Sequence, residues 1–262
     1  MRLSRVVLLL VCGLIALWLV APTLVVIPLS FTSQQSLAFP PTGLSLRWYE
    51  NFFASPQWIG GLLNSLQIGL MVAVIATVIG TAAAYGLMKI AGFRKAASNN
   101  LLLLPMLVPG VIFAVGVYAI FLRLHLVGTL PGFLLAHTVL AIPFVVVPVT
   151  SVLASYDEQL ERAAWVCGAG KLKAFLSVTL PVIAPGVTAG FLFAFITSFD
   201  EVIVSLFISN PYLQTLPVRM FTSLQREVDP TIAAAATIIM LITTAAAAVG
   251  VLARAKRSKT NV

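Results

Sequence analysis

The chain has 262 residues, 60% hydrophobic and only 9% charged, and its mean hydropathy of +1.05 excludes an ordinary water-soluble enzyme or binding module. Its formal net charge of +8 is carried in polar breaks between apolar runs and not on an aromatic-interleaved face, which excludes nucleic acid as a partner. Runs long enough to cross a hydrocarbon core of about 30 Å fall at 6–29, 62–88, 101–122, 130–153, 186–208 and 231–253. They predict an all-α integral membrane protein with six spans in one domain, 1–262.

The first run follows a basic start, but it is about twice the apolar length of a secretory signal and has no small-x-small cleavage site, so it is a retained span. The external segment 30–61 carries Trp48, Tyr49, Phe52, Phe53 and Trp58. Such aromatics prefer the interface, which predicts an amphipathic helix at about 45–54 lying on the outer surface. Asn64-Ser65-Leu66 then opens the second span.

Pro105, Pro109-Gly110, Pro143 and Pro148 interrupt the third and fourth spans. Carbonyls freed by proline inside a bilayer need neighbouring helices or a wet cavity, so these kinks predict a bundle around a path. His137 has no second His, Cys or carboxylate at ligand spacing, so a neutral histidine bonded between helices is expected and no metal site is. His125 falls in a short external loop. Cys12 lies in the first span and Cys167 in a polar break, too far apart in the topology for a disulfide.

The break at 154–185 separates the fourth and fifth spans. Residues 157–167 lack Gly and Pro and place Leu160, Ala163, Ala164 and Cys167 at helical spacing, which predicts a short helix ended by Gly168 at positive φ. A second short helix is expected at 171–176, with Pro181 and Pro185 marking entry to the next span. Gly168-Ala169-Gly170-Lys171 is no phosphate loop, because Trp165 stands where the first Gly belongs and Leu172 where Ser or Thr belongs.

Asp200 and Glu201 are the acids inside a span, and a carboxylate at bilayer depth costs about 2.5–3.5 kcal/mol on insertion scales. Adjacent helical positions point about 100° apart. One acid is therefore expected to line a path and the other to meet an adjacent helix or subunit. The alternative is that both are held by hydrogen bonds at a helix interface. The external segment 209–230, with Tyr212, Arg219, Arg226, Glu227 and Asp229, is too polar to face lipid. With a cytoplasmic N-terminus, twelve of the sixteen Lys and Arg fall inside, while Arg47, Arg123, Arg219 and Arg226 fall outside. That bias makes both termini and the 154–185 break cytoplasmic, and the basic residues meet anionic lipid.

The break then shows Glu161-Arg162-Ala163-Ala164, Gly168 and Val178-Thr179-Leu180-Pro181. This resembles the EAA loop, the cytoplasmic coupling loop of ABC importer permeases, with one departure: Arg162 takes the first position of the triplet and the acid sits one residue earlier. Ser198-Phe199-Asp200-Glu201-Val202, then Thr215-Leu216-Pro217 and Asp229-Pro230-Thr231-Ile232-Ala233, is similar to the second permease of spermidine/putrescine importers and to relatives for opines, amino acids and aminophosphonates.

The resemblance implies a six-span type I ABC importer transmembrane domain with its coupling loop at 154–185, a transport subunit and not an enzyme. Glu161, Ala163, Ala164, Gly168, Ala169, Leu180 and Pro181 are expected to couple to ATPases, and Ser198, Phe199, Asp200 and Glu201 to line the substrate path. No cofactor is expected in this chain, since ATP and Mg belong to the ATPases. The implied assembly, in the inner (plasma) membrane, holds a homologous second permease, two ATPase subunits and an external solute-binding protein, for which 209–230 is a candidate dock. The cargo implied is a small amine-bearing solute such as a polyamine, with an opine, amino acid or aminophosphonate as alternatives. A different class, a proton- or sodium-coupled carrier using Asp200 or Glu201, lacks a visible inverted repeat. An intramembrane hydrolase lacks a nucleophile pair.

Overall fold

In a bilayer every backbone N–H and C=O has to be satisfied within the segment, and a chain this apolar meets that demand by helix formation. The computed structural model describes residues 2–226 and 229–260, with side chains over 6–226 and 229–248. Glu227 and the cations at 2, 5 and 254–259 lie outside the described side chains. The helices are α1 (Arg2–Ser30), α2 (Arg47–Ala54), α3 (Pro56–Met88), α4 (Gly92–Leu107), α5 (Gly110–Arg123), α6 (Leu130–Leu153), α7 (Gln159–Val166), α8 (Lys171–Ala174), α9 (Leu180–Phe199), α10 (Ile203–Ile208), α11 (Leu216–Arg226) and α12 (Thr231–Thr260). A π turn, Phe175–Thr179, joins α8 to α9. Five stretches among the described residues are long and apolar enough to cross a membrane, and α4 with α5 makes a sixth if that pair, bent by 98°, counts as one span.

Three expected boundaries are corrected. The third span, expected unbroken over 101–122, is two helices, because Pro109 pushes Val108 into extended backbone (φ −79°, ψ 126°) and stops α4 there. Pro143 and Pro148, by contrast, are absorbed inside α6. The fifth span, expected at 186–208, begins at Lys171 and ends at Phe199. The π turn adds a residue to the ladder just ahead of Pro181, where a donor is missing, so the expected 171–176 helix runs on into α9 without a stop. Asp200 and Glu201 therefore sit beyond a helix end and not within a helix.

Contacts gather the chain into two compact units, one of 1–60 with 219–243 and one of 61–218 with 244–262. In the first, the chain leaving α1 folds against α2. Trp48 Nε1 donates to the Thr32 carbonyl at 2.8 Å, the Ser30 and Tyr49 hydroxyls meet at 2.7 Å, and Asn51 Nδ2 donates to Thr231 Oγ1 at 2.8 Å. The amphipathic helix expected at 45–54 is present as α2, with Trp48 and Phe52 buried.

In the second unit α6 and α9 are packed backbone to backbone through small residues. A Cβ on Gly186 would lie 2.8 Å from the Pro148 carbonyl oxygen, and one on Gly190 would lie 3.0 Å from Val145 Cα. Ala194 continues the stripe, four residues on, and is buried. Close approach of this kind is how helices gain van der Waals energy in lipid, where apolar burial supplies no drive. Gly80 of α3 approaches Val145 the same way, its Cβ position 2.7 Å from Val145 Cβ. Asn64 and Ser65 do not open a span, since α3 starts at Pro56. Instead Asn64 Nδ2 donates to the Gln214 carbonyl at 2.9 Å and Ser65 Oγ accepts from Leu216 N at 2.8 Å, which ties 214–216 to α3.

Candidate functional site

The loop between α6 and α9 is shaped by one glycine. Gly168 has φ +86°. Its N–H bonds the Trp165 carbonyl at 2.9 Å and Ala169 N–H bonds the Ala164 carbonyl at 3.0 Å, the paired bonds of a Schellman cap at the C-terminus of α7. Ala163 is exposed and Ala164 and Ala169 are half-buried, so α7 offers a low-relief surface beside its tip. At that tip Val166 is 89% exposed and Leu172, on α8, 71%. Leu180 is half-buried and Pro181 exposed.

Glu161 is placed differently from its neighbours, being 1% exposed. Its carboxylate accepts from the Tyr85 hydroxyl, from Lys89 Nζ at 3.3 Å and from Thr179 Oγ1 at 3.5 Å. Lys89 also pairs with Glu158 at 3.4 Å, and the Tyr156 and Thr179 hydroxyls meet at 2.9 Å. An isolated buried carboxylate costs several kcal/mol, and this one is compensated by a cation and two hydroxyls. The next residue, Arg162, is 70% exposed and presents its charge outward. A cleft of about 640 Å³ beside the network is lined by Tyr85, Lys89, Glu161, Trp165, Leu172 and Phe175. Tyr85 and Lys89 escaped the sequence reading. Their signal was a tyrosine and a lysine four residues apart, on one helical face, at the end of an otherwise apolar run.

The second cluster lies where α9 ends. His137 of α6 is buried, with Nδ1 2.9 Å from Ser198 Oγ and Nε2 3.0 Å from Ser205 Oγ. This is the interhelical histidine expected from its lack of ligand-spaced partners. Glu201 accepts from Val204 N at 2.7 Å and Ser205 N at 2.8 Å, capping α10, and its Oε2 stands 3.7 Å from His137 Nε2. Phe199 is buried and stacked on Phe195 at 5.3 Å. Asp200 is the C-cap of α9 and is exposed, and its carboxylate makes no hydrogen bond or ion pair to any described residue. Of the four residues expected on a path, Ser198, Phe199 and Glu201 thus turn toward the chain itself and Asp200 opens outward. Ser205 was not anticipated, because nothing in an apolar run announces which hydroxyl will meet a histidine some seventy residues earlier.

The sequence profile of the family described as "Binding-protein-dependent transport system inner membrane component" matches residues 76–258. The chain is 34% identical to the putrescine transport system permease protein PotI of Escherichia coli (strain K12), over 83% of this chain and 79% of that protein. It is 30% identical to the spermidine/putrescine transport system permease protein PotC of Haemophilus influenzae, over 83% of this chain and 84% of the relative. In three dimensions it resembles a crystal structure of a bacterial ABC transporter involved in import of the acidic polysaccharide alginate, with TM-score 0.70 and 15% identity across 97% of this chain and 96% of that one.

Proposed function

The chain belongs to the family of binding-protein-dependent transport system inner membrane components, and from that membership we propose that it moves a small amine-bearing solute such as a polyamine inward, driven by ATPase subunits docked on its 154–185 loop. Membership makes it a permease subunit of an ABC importer, a transport protein and not an enzyme, and sets aside the ion-coupled carrier. The observation that carries the cargo reading is Asp200: an exposed carboxylate, without a partner among the described residues, at the break between α9 and α10, in a chain alike over four-fifths of its length to two polyamine-system permeases. A fixed anion in a low-dielectric passage offsets desolvation of an ammonium group and repels anions. ATP and Mg stay on the ATPases, a homologous permease completes the pair, and a solute-binding protein delivers cargo to the external face around 209–230.

The test is uptake by the complex in sealed vesicles. Labelled putrescine uptake is expected to require ATP and the binding protein and to survive collapse of proton and sodium gradients. Uptake sustained by an ion gradient without ATP overturns the mechanism. ATP-driven uptake that no amine competes with, while an opine, amino acid or aminophosphonate does, overturns the cargo.

Orientation has its own prediction, from the positive-inside count. In a Cys12→Ala background, Cys167, which is free and exposed, reacts only with thiol reagents that reach the cytoplasm, and Tyr212→Cys, at a position 95% exposed, reacts from outside. Labelling of both from one side refutes the arrangement.

A further inference from the structure

We propose that Tyr85 and Lys89 are positioning residues which, by holding the buried Glu161 carboxylate, fasten the 154–185 loop to α3, so that displacement of α7 moves α3 and the α8–α9 helix together. This rests on the coupling role given to that loop above. Four separate pieces of chain meet at one carboxylate. Tyr85 comes from α3 and Lys89 from the turn just after it, Glu161 from α7, Thr179 from the π turn, and Tyr156, ahead of α7, holds Thr179 from behind. The Tyr85 ring is wedged edge-on against Phe175 at 5.0 Å, and Lys89 Nζ lies 5.1 Å from the Tyr85 ring centre. The Glu161 carboxylate is buried while Lys89 stays a third exposed, and pulling a partner away leaves the buried charge less compensated, which makes this contact resist separation more than an ion pair exposed on both sides.

The proposed docking face and the fastening border one cleft but use different side chains. Val166, Leu172 and Arg162 point outward, while Glu161 points inward. Weakening the fastening therefore leaves a partner able to bind and turn over, but with its stroke delivered to a loop that slips against α3. The signature is uncoupling: ATP is hydrolysed and less solute moves per ATP.

The experiment measures ATP hydrolysed and putrescine accumulated in the same proteoliposomes holding the complete transporter, with thermal stability of the complex alongside. Tyr85→Phe and Lys89→Met are each expected to lower solute moved per ATP by about fivefold or more, with ATP hydrolysis near wild type. Lys89→Arg keeps the cation and restores the ratio. The double variant Lys89→Met with Glu161→Gln falls by less than the two single variants combined, since the Lys89–Glu161 pair is common to both. A wild-type ratio in Tyr85→Phe and Lys89→Met overturns the inference while leaving the loop's coupling role intact. So does an equal fall in hydrolysis and transport, which means the docking face was damaged. A wild-type complex whose uptake ignores ATP removes the coupling role itself, and the inference with it.

Discussion

With ATPases docked on the 154–185 loop as proposed, Gly168→Ile is expected to abolish ATP-driven uptake and to leave the membrane helices inserted. The residue stands at φ +86° with no atom near enough to clash with a Cβ, so the damage comes from backbone strain and not from crowding. A β-branched side chain in the left-handed region costs about 1–3 kcal/mol. The two bonds closing the cap, Gly168 N–H to Trp165 and Ala169 N–H to Ala164, form only if that φ is kept. Relief of the strain is expected to open the cap, to move Val166 and Leu172 out of register with each other, and to lower the population of the proposed docking-competent loop by up to about a hundredfold. Gly168→Ala costs less, for want of branching, and keeps part of the uptake. The measurement is uptake and ATP hydrolysis by reconstituted complexes at matched yield. Normal stimulation of hydrolysis together with normal uptake in Gly168→Ile removes the loop from coupling. Because Gly168 lies at the proposed docking tip, its variant is expected to lose hydrolysis and uptake together, unlike the Tyr85 and Lys89 variants.

The adjacent acids separate under substitution. Asp200→Asn keeps shape and removes charge from a carboxylate that holds no other described residue. Assembly and thermal stability are expected to stay at wild type while the KM for a cationic solute rises about tenfold or more, which is about 1.4 kcal/mol of lost attraction. Glu201→Gln acts on the fold. Both carboxylate oxygens accept backbone N–H bonds, from Val204 and Ser205, and an amide has one oxygen to offer, so its NH₂ group is turned against a donor. One buried N–H then goes unsatisfied at a cost of about 1–3 kcal/mol. The short α10 frays, His137 loses order through Ser205, and complex yield drops before any change in selectivity shows. Transport of the amine undiminished in Asp200→Asn refutes Asp200 as the selecting charge. A Glu201→Gln complex of full stability with raised KM exchanges the two roles.

Much of this protein was legible in its residues because apolar length, proline and glycine act locally. A long apolar run in a bilayer satisfies its backbone within itself by helix formation, so four of the six expected spans fall within single helices, α1, α3, α6 and α12, while the third breaks at Pro109 and the fifth after Phe199. Gly168 was readable as a positive-φ turn since a helix that stops at glycine does so by its own backbone. The stretches Glu161 to Pro181 and Ser198 to Val202 were also visible in one dimension, and both lie inside residues 76–258, which the family profile matches.

What only the tertiary structure decided is where side chains of one local type are sent. Asp200 and Glu201 are both acids at one helix break, and nothing in their order tells that Glu201 finds two N–H groups and a histidine from α6 while Asp200 finds none. Glu161 and Glu158 lie on the same turn region of one short loop. One is buried against Tyr85 and Lys89 and the other is partly open, because the end of α3 and the turn after it bring a hydroxyl and an ammonium from more than seventy residues away. The Gly186 and Gly190 stripe is likewise meaningful only once α6 lies across it. The sequence by itself determined which segments are helical, where the chain turns and to which family it belongs, since those rest on interactions within a few residues. The destination of each buried polar group was decided by packing, since its partner comes from another helix and the low dielectric there makes that partner a condition of burial.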